Sequence, residues 1–317
     1  MINKDGLRCF KTKLVLLREY IQDMETYRRN ALLAGMENSQ ENLIGIVMFR
    51  THSIEKGLSH ETFRPEFGKD TTLKSLFAEL TQYREFGFDE SDSVIKNAVS
   101  VLNEYLDTHK QLNMDIPWFS EMFEGWLYPM NSIAGVKKIQ FVKSNDFAEL
   151  AANRNSIREF GSDPVTLESL QKAVHISMKT PSVCNRQPWK VKIITDMSLI
   201  EKLLDIQGGF NGYKVPNKLL LITVDAAYFN GLGERNEPYI DGGLFTMSLL
   251  YALESLEIAA VALNAMFTSD KTKDVRELLD INSGEVLITF IAVGSFPKST
   301  QVPKSFRKDY KEIITVY

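Results

Sequence analysis

The chain has 317 residues, 44% of them hydrophobic and 25% charged, enough to bury the core of one large domain or two ordinary ones, and two is the expectation. Its net charge of −4, from 37 basic and 41 acidic residues, leaves no positive excess to neutralise a nucleic-acid backbone, so no nucleic-acid partner is expected. Two cysteines, Cys9 and Cys184, give neither a disulfide framework nor a metal-ligand spacing, and they suit a reducing cytoplasm.

From the start, Met1 to Asp23 carries basic residues, but the apolar run Leu14-Val15-Leu16-Leu17 is cut by Arg18-Glu19, too early for a signal-peptide core. Up to about residue 145 the periodicity is helical. Leu14, Leu17, Ile21 and Met24 share one face, Leu73, Leu76, Phe77 and Leu80 a second, and Ile95, Ala98, Leu102 and Tyr105 a third. Pro117 to Val142 is rich in aromatics and turn residues and reads as irregular structure.

After about residue 146 helical stretches alternate with β-branched runs at Trp189–Thr195, Leu219–Val224 and Val286–Val293, the texture of an α/β or α+β fold. Thr166 and Asp196 are the expected N-caps of helices over Leu167–Lys179 and Met197–Ile206. The most apolar stretch, Gly242 to Phe267, approaches membrane-spanning length but carries Glu254 and Glu257. At roughly 2.5–3.5 kcal/mol for each acidic group in a bilayer centre, it reads as buried in protein, and no membrane partner is expected. The expected division is a mainly helical region of unknown role over 1–145 and a second domain over 146–317, packed together without a flexible linker.

Two clusters carry chemistry. In Arg154-Asn155-Ser156-Ile157-Arg158-Glu159-Phe160, two guanidiniums and a hydroxyl converge within five residues, a donor set that matches phosphate oxygens. Alone, the cluster reads equally as a charged helix end with Arg158 and Glu159 solvated. In Thr180-Pro181-Ser182-Val183-Cys184-Asn185-Arg186-Gln187-Pro188-Trp189, amides offer donors and acceptors to the edge of a heteroaromatic ring while two prolines fix the loop. Alone, it reads equally as a rigid helix-to-strand connection whose amides satisfy backbone groups.

Taken together, R-x-S-x-R-x-F followed some twenty residues later by P-S-x-x-N-x-Q-P-W resembles the N-terminal signature of the nitroreductase family. Later pieces fall in order: Asp241-Gly242-Gly243 opening a long apolar helix, Ala259-Ala260-Val261-Ala262, Val293-Gly294, and Lys304-Ser305-Phe306-Arg307. The resemblance covers about residues 147–317. It implies an α+β fold with a mixed or antiparallel central sheet flanked by helices, and an FMN-dependent oxidoreductase that uses NADH or NADPH to reduce an electron-poor or conjugated acceptor by ping-pong hydride transfer. It further implies a cytoplasmic homodimer with FMN at the interface.

By that resemblance Arg154, Asn155, Ser156 and Arg158 would hold the FMN phosphate and ribityl chain. Ser182, Asn185 and Gln187 would lie along the ribityl chain and the polar edge of the ring, and backbone groups from Ala260 through Val261 to Ala262 would face N5. Lys304 and Arg307 would close over the phosphate. No protein side chain is required as the catalytic group, since the flavin carries the reaction. Leu244 to Met266 would be the interface helix, and Ile313 to Tyr317 a strand crossing onto the partner. The chain departs from the family in having Glu257-Ile258-Ala259-Ala260 where a glycine is common, and in the spacing Phe306 puts between Lys304 and Arg307.

Residues 50–68 are dense in ionisable types, among them His52, Glu55 and Lys56, directly after the apolar helix Leu43 to Phe49. His52 and Glu55 have a spacing used in metal sites, but further ligands are lacking and no metal is expected; a helix end finished by Gly57 accounts for the segment as well. The segment could instead cover the flavin site and select the acceptor. His109 reads as exposed and His175 as a helix residue of structural type. Two alternatives stand beside the leading function: a flavin-consuming or dehalogenating enzyme on the same fold, and a flavin-binding or regulatory protein without turnover.

Overall fold

The computed structural model describes residues 8–18, 20–21, 40–140, 146–183, 186–226 and 232–317. Met24, the junction at 143–145, Cys184 and Asn185 lie outside these residues. Two compact units emerge, one of residues 1–138 with 301–317 and one of residues 139–300. This differs from a division at 145/146 because the chain returns: β6 (Thr300–Pro303) pairs with β1 (Val136–Ile139), and Val302 is buried.

The first unit is helical. Its main elements are α1 (Gln40–Leu58), α2 (Lys74–Glu85), α3 (Ser93–Gln111) and the short α4 (Pro117–Met122). The apolar positions at helical spacing supply its core: Leu43, Val47 and Ile54 from α1, Leu76 and Leu80 from α2, Ala98, Leu102 and Tyr105 from α3, closed by Phe119, Phe123 and Trp126. Asp92 caps α3 by accepting from the Val94 N–H at 2.8 Å. α1 runs on through the ionisable segment to Leu58 instead of ending near Phe49. It ends one residue past Gly57, where a helix end was expected; a Cβ on Gly57 would stand 2.1 Å from the Phe67 ring, so the residue makes room for that aromatic.

The second unit is α+β. Four strands, β2 (Trp189–Ile194), β3 (Lys218–Asp225), β4 (Ile258–Asn264) and β5 (Glu285–Ser295), form an antiparallel sheet in the order β2-β3-β5-β4. Both faces are covered, which is why β3 reads as a continuous apolar run. Leu220, Ile222 and Val224 point to one core with Phe245, Leu249 and Leu253 of α8 (Glu237–Ser255), while Leu219 and Leu221 point to another with Ile200 and Leu203 of α7 (Met197–Gln207). α6 (Leu167–Ser177) packs on α8, as does α5 (Phe147–Asn153), and α9 (Ser269–Leu279) contributes Val275 to the second core. Thr166 and Asp196 cap their helices as expected, accepting from Ser169 N at 3.1 Å and Leu199 N at 2.8 Å.

Two expectations are corrected here. The apolar run to Met266 is not one helix: α8 stops at Ser255 and the run resumes as β4, because Glu257 takes a left-handed φ of 62° and Ile258–Asn264 finds hydrogen-bond partners along β5. Ile313–Tyr317 follows a short 3-10 turn, Tyr310–Glu312, with its side chains in solvent, and within one copy it is not a strand and pairs with none among the described residues.

Candidate functional site

β4 is an edge strand, and the free edge is where the phosphate-type cluster sits. The Ile157 N–H donates to the Ala260 carbonyl at 3.1 Å, laying the Arg154–Phe160 segment against β4. A strand's N–H and C=O groups alternate in direction, so the backbone groups of Ala260 and Ala262 face this edge while those of Val261 turn into the ladder with β5. Gly161 closes the segment, its N–H donating to the Ser295 carbonyl at 2.9 Å, where a Cβ would come within 2.8 Å of the Phe296 carbonyl oxygen.

The cluster sets two guanidiniums beside one buried side chain. Ile157 is fully buried and holds the register, with Arg154 and Arg158 on either side. Burial pushes the Arg158 guanidinium below its ordinary pKa, and its Nε is buried with no hydrogen-bond partner among the described residues. Leaving such a donor unmatched costs about 1–3 kcal/mol or more for a charged group, a cost an incoming phosphate oxygen would remove. Arg154 lies close enough to act on Glu254, near the end of α8. Burial pushes that carboxyl up to about 7, against the downward pull of Arg154. The Asn155 side chain is turned to its own chain, donating to the Asn153 carbonyl.

The second cluster is anchored elsewhere. The Val183 N–H donates to both carboxylate oxygens of Asp241, at 3.2 and 3.3 Å, and Trp189 Nε1 donates to the Asp241 carbonyl at 2.9 Å. Arg186 makes a two-pronged ion pair with Glu234, at 2.9 and 2.7 Å. Ser182 Oγ accepts from the Gln187 N–H at 2.9 Å, and Gln187 has a left-handed φ of 49°. The loop is therefore held tightly at the N-terminal end of α8 through a buried aspartate that the sequence reading singled out only as part of Asp-Gly-Gly. Asp241 and Glu254 are thirteen positions apart on α8, about 20 Å at 1.5 Å per residue. One copy of the chain thus holds the two clusters at opposite ends of one helix.

Lys304 and Arg307 belong to the helical unit. Lys304 Nζ donates to Ser132 Oγ and lies 3.8 Å from Glu104, and the Arg307 guanidinium donates to the carbonyls of Ser305 and Phe306. In that unit His52 Nδ1 meets Glu55 at 3.1 Å, and the other Glu55 oxygen accepts from the Gly135 N–H at 3.0 Å. Ser100 Oγ takes the Ile133 and Ala134 N–H groups, and Glu104 that of Val136. Four successive amides, the last of them opening β1, are thus held by α1 and α3, giving Glu55 a structural task that no spacing in the sequence announces. Among the described residues no group of three or more His, Cys, Asp or Glu could hold a metal ion. His109 is fully buried, not exposed as expected: the Phe63 and Tyr105 rings pack on it.

Residues 151–211 match the model of the nitroreductase family. The matched segment begins in α5, passes through Arg154–Phe160 and the 180–189 loop, and ends beyond α7. The match lies wholly within the second unit. A protein of Archaeoglobus fulgidus, named for NADH dehydrogenase or NAD(P)H nitroreductase activity, is 27% identical over 146 residues, covering 46% of this chain and 82% of its own. An iodotyrosine deiodinase of Nematostella vectensis is 24% identical over 203 residues, covering 55% of this chain and 76% of its own. Among solved structures, a nitroreductase with bound FMN from Desulfitobacterium hafniense is 19% identical, covers 54% of this chain and 97% of its own, and superposes with a TM-score of 0.44.

Proposed function

We propose that this protein is an FMN-dependent oxidoreductase that takes reducing equivalents from NADH or NADPH and passes them to an electron-poor or conjugated organic acceptor, as a homodimer. The observation that carries this reading is the half-buried Arg158 guanidinium, its buried Nε unmatched among the described residues, on the free edge of β4 beside Arg154. FMN, when bound, supplies the hydride chemistry. The chain's part is to bind and orient: Arg154, Ser156 and Arg158 hold the phosphate, the outward amides of Ala260 and Ala262 offer hydrogen bonds, and the pinned loop presents Ser182 and Gln187. Lys304 and Arg307 remain candidates for the phosphate through the resemblance alone, as does Asn185 for the ring.

The separation of the two clusters along α8 supports the homodimer. Ile240, Leu244 and Met247 form an exposed apolar stripe on that helix. Two α8 helices packed antiparallel through the stripe would run the Asp241 end of one copy toward the Glu254 end of the other, drawing the two clusters of different copies toward each other.

The test is to purify the protein, identify any released cofactor, and follow the flavin absorbance on anaerobic addition of NADH and of NADPH, then of acceptors. Stoichiometric FMN that bleaches and is reoxidised in a separate second half-reaction supports the reading, including alternating use of one site. If FMN neither copurifies nor binds at micromolar concentration, the reading falls. The deiodinase relative favours a second reading, reductive dehalogenation on the same site, which predicts iodide release from an iodinated phenol by the reduced protein.

A further inference from the structure

Residues 8–18 and 20–21 are helical, and a row of large apolar side chains on them stands in solvent: Phe10 is 59% exposed, Leu14 51%, Leu17 56% and Ile21 50%. Steps of four, three and four residues place them on one stripe about 60° wide at 3.6 residues per turn. Along one edge of the stripe stand Lys13 and Tyr20, and along the other Lys11 and Arg18, all exposed. Residues 8–21 hold four basic residues and one acidic, on a chain whose net charge is −4, so the positive charge is a local property of this helix.

An apolar stripe at this spacing could be the seam of a coiled coil with a second copy. The flanking charges argue against that, because either orientation of two copies sets lysines and arginines against one another, where stable seams alternate signs. An anionic lipid surface meets the same pattern favourably. The stripe enters the boundary between headgroups and acyl chains while the long basic stems keep their charged ends among the phosphates. We propose that this helix docks the protein reversibly on the anionic surface of a bilayer, lying along it. Among the described residues no helix is long and apolar enough to cross a membrane. The expectation of no membrane partner rested on spanning segments and did not weigh a helix lying on the surface.

The test is cosedimentation of the full-length protein with mixed phosphatidylcholine and phosphatidylglycerol vesicles, and with pure phosphatidylcholine vesicles. Binding to the mixed vesicles, loss of binding in high salt, and its absence on the neutral ones are expected. Leu14→Asp with Leu17→Asp should abolish it at an unchanged melting temperature. The triple change of Lys11, Lys13 and Arg18 to Gln should weaken it about a hundredfold, each basic residue near a lipid surface contributing about fivefold. Equal binding to both vesicles overturns the proposal. So does failure to bind either one, and a concentration-dependent dimer lost in the Leu14→Asp, Leu17→Asp variant would then assign the face to a second copy.

Discussion

The Ile157 amide and the Ala260 carbonyl, 3.1 Å apart, join a segment of two arginines to the open edge of the sheet. That bond fixes where Arg158 stands, and Arg158 should be the first residue changed. Arg158→Met removes a half-buried guanidinium whose buried Nε is unmatched, so the apoprotein should be as stable as the wild type or more so, while FMN affinity falls about 10- to 100-fold, the worth of a charge-assisted hydrogen bond. Calorimetric titration with FMN and urea denaturation of the apoprotein measure the two effects separately. A parallel loss of both would make Arg158 structural.

Glu254 predicts a pH dependence. Its carboxyl titrates near 7 in the folded protein against an ordinary value of 4.5, so the folded state holds the proton more strongly. The contribution is full below pH 4.5 and is lost as pH rises through 7. Glu254→Gln cannot lose that proton, and its stability relative to wild type should rise by roughly 2–3 kcal/mol between pH 5 and pH 8. Paired denaturation curves at the two pH values check it.

Glu257 occupies a left-handed position, φ 62°, between α8 and β4. A side chain there costs about 1–2 kcal/mol, partly offset by the greater freedom glycine has when unfolded. Glu257→Gly should therefore stabilise the protein by about 0.5–1 kcal/mol, read from its urea midpoint, whereas Glu257→Val should destabilise it.

His109 holds the helical unit together through both ring nitrogens. Nε2 accepts from the Glu66 N–H at 3.0 Å and Nδ1 donates to the Tyr105 carbonyl at 2.8 Å, which fixes the neutral tautomer with its proton on Nδ1. His109→Leu leaves the Glu66 amide without its partner and should cost about 2–3 kcal/mol. Thermal unfolding followed by far-ultraviolet circular dichroism would record the loss.

How much of this was legible in the sequence depends on the range of the interaction. Thr166 and Asp196 announce their helices because a cap is read within three residues, and β3 shows as an apolar run because both its faces are covered. β4 was lost inside an apolar stretch, since residues 244–266 have no alternation to separate a buried helix from a buried strand. Arg154 to Arg158 could be named from residue types alone. Their seat on β4, and the distance along α8 from the Ser182 loop, come from pairings a hundred residues apart that no local pattern encodes. His109 was misplaced for the same reason: its partner at Glu66 is 43 positions away, and Phe63, which packs on it together with its helix neighbour Tyr105, is 46 positions away. Local composition showed a histidine beside a lysine and nothing of the aromatic packing that buries it.

The pairing of β1 with β6 has a consequence for synthesis on the ribosome. Everything from residue 139 to 300 is made before Val302, so the α+β unit can complete its sheet while the helical unit still lacks one of its two strands. The unit that begins first finishes last. A chain ending just short of residue 300 and released from the ribosome should already resist protease across the four-stranded sheet, yet leave the amides of β1 open to exchange for want of the returning strand.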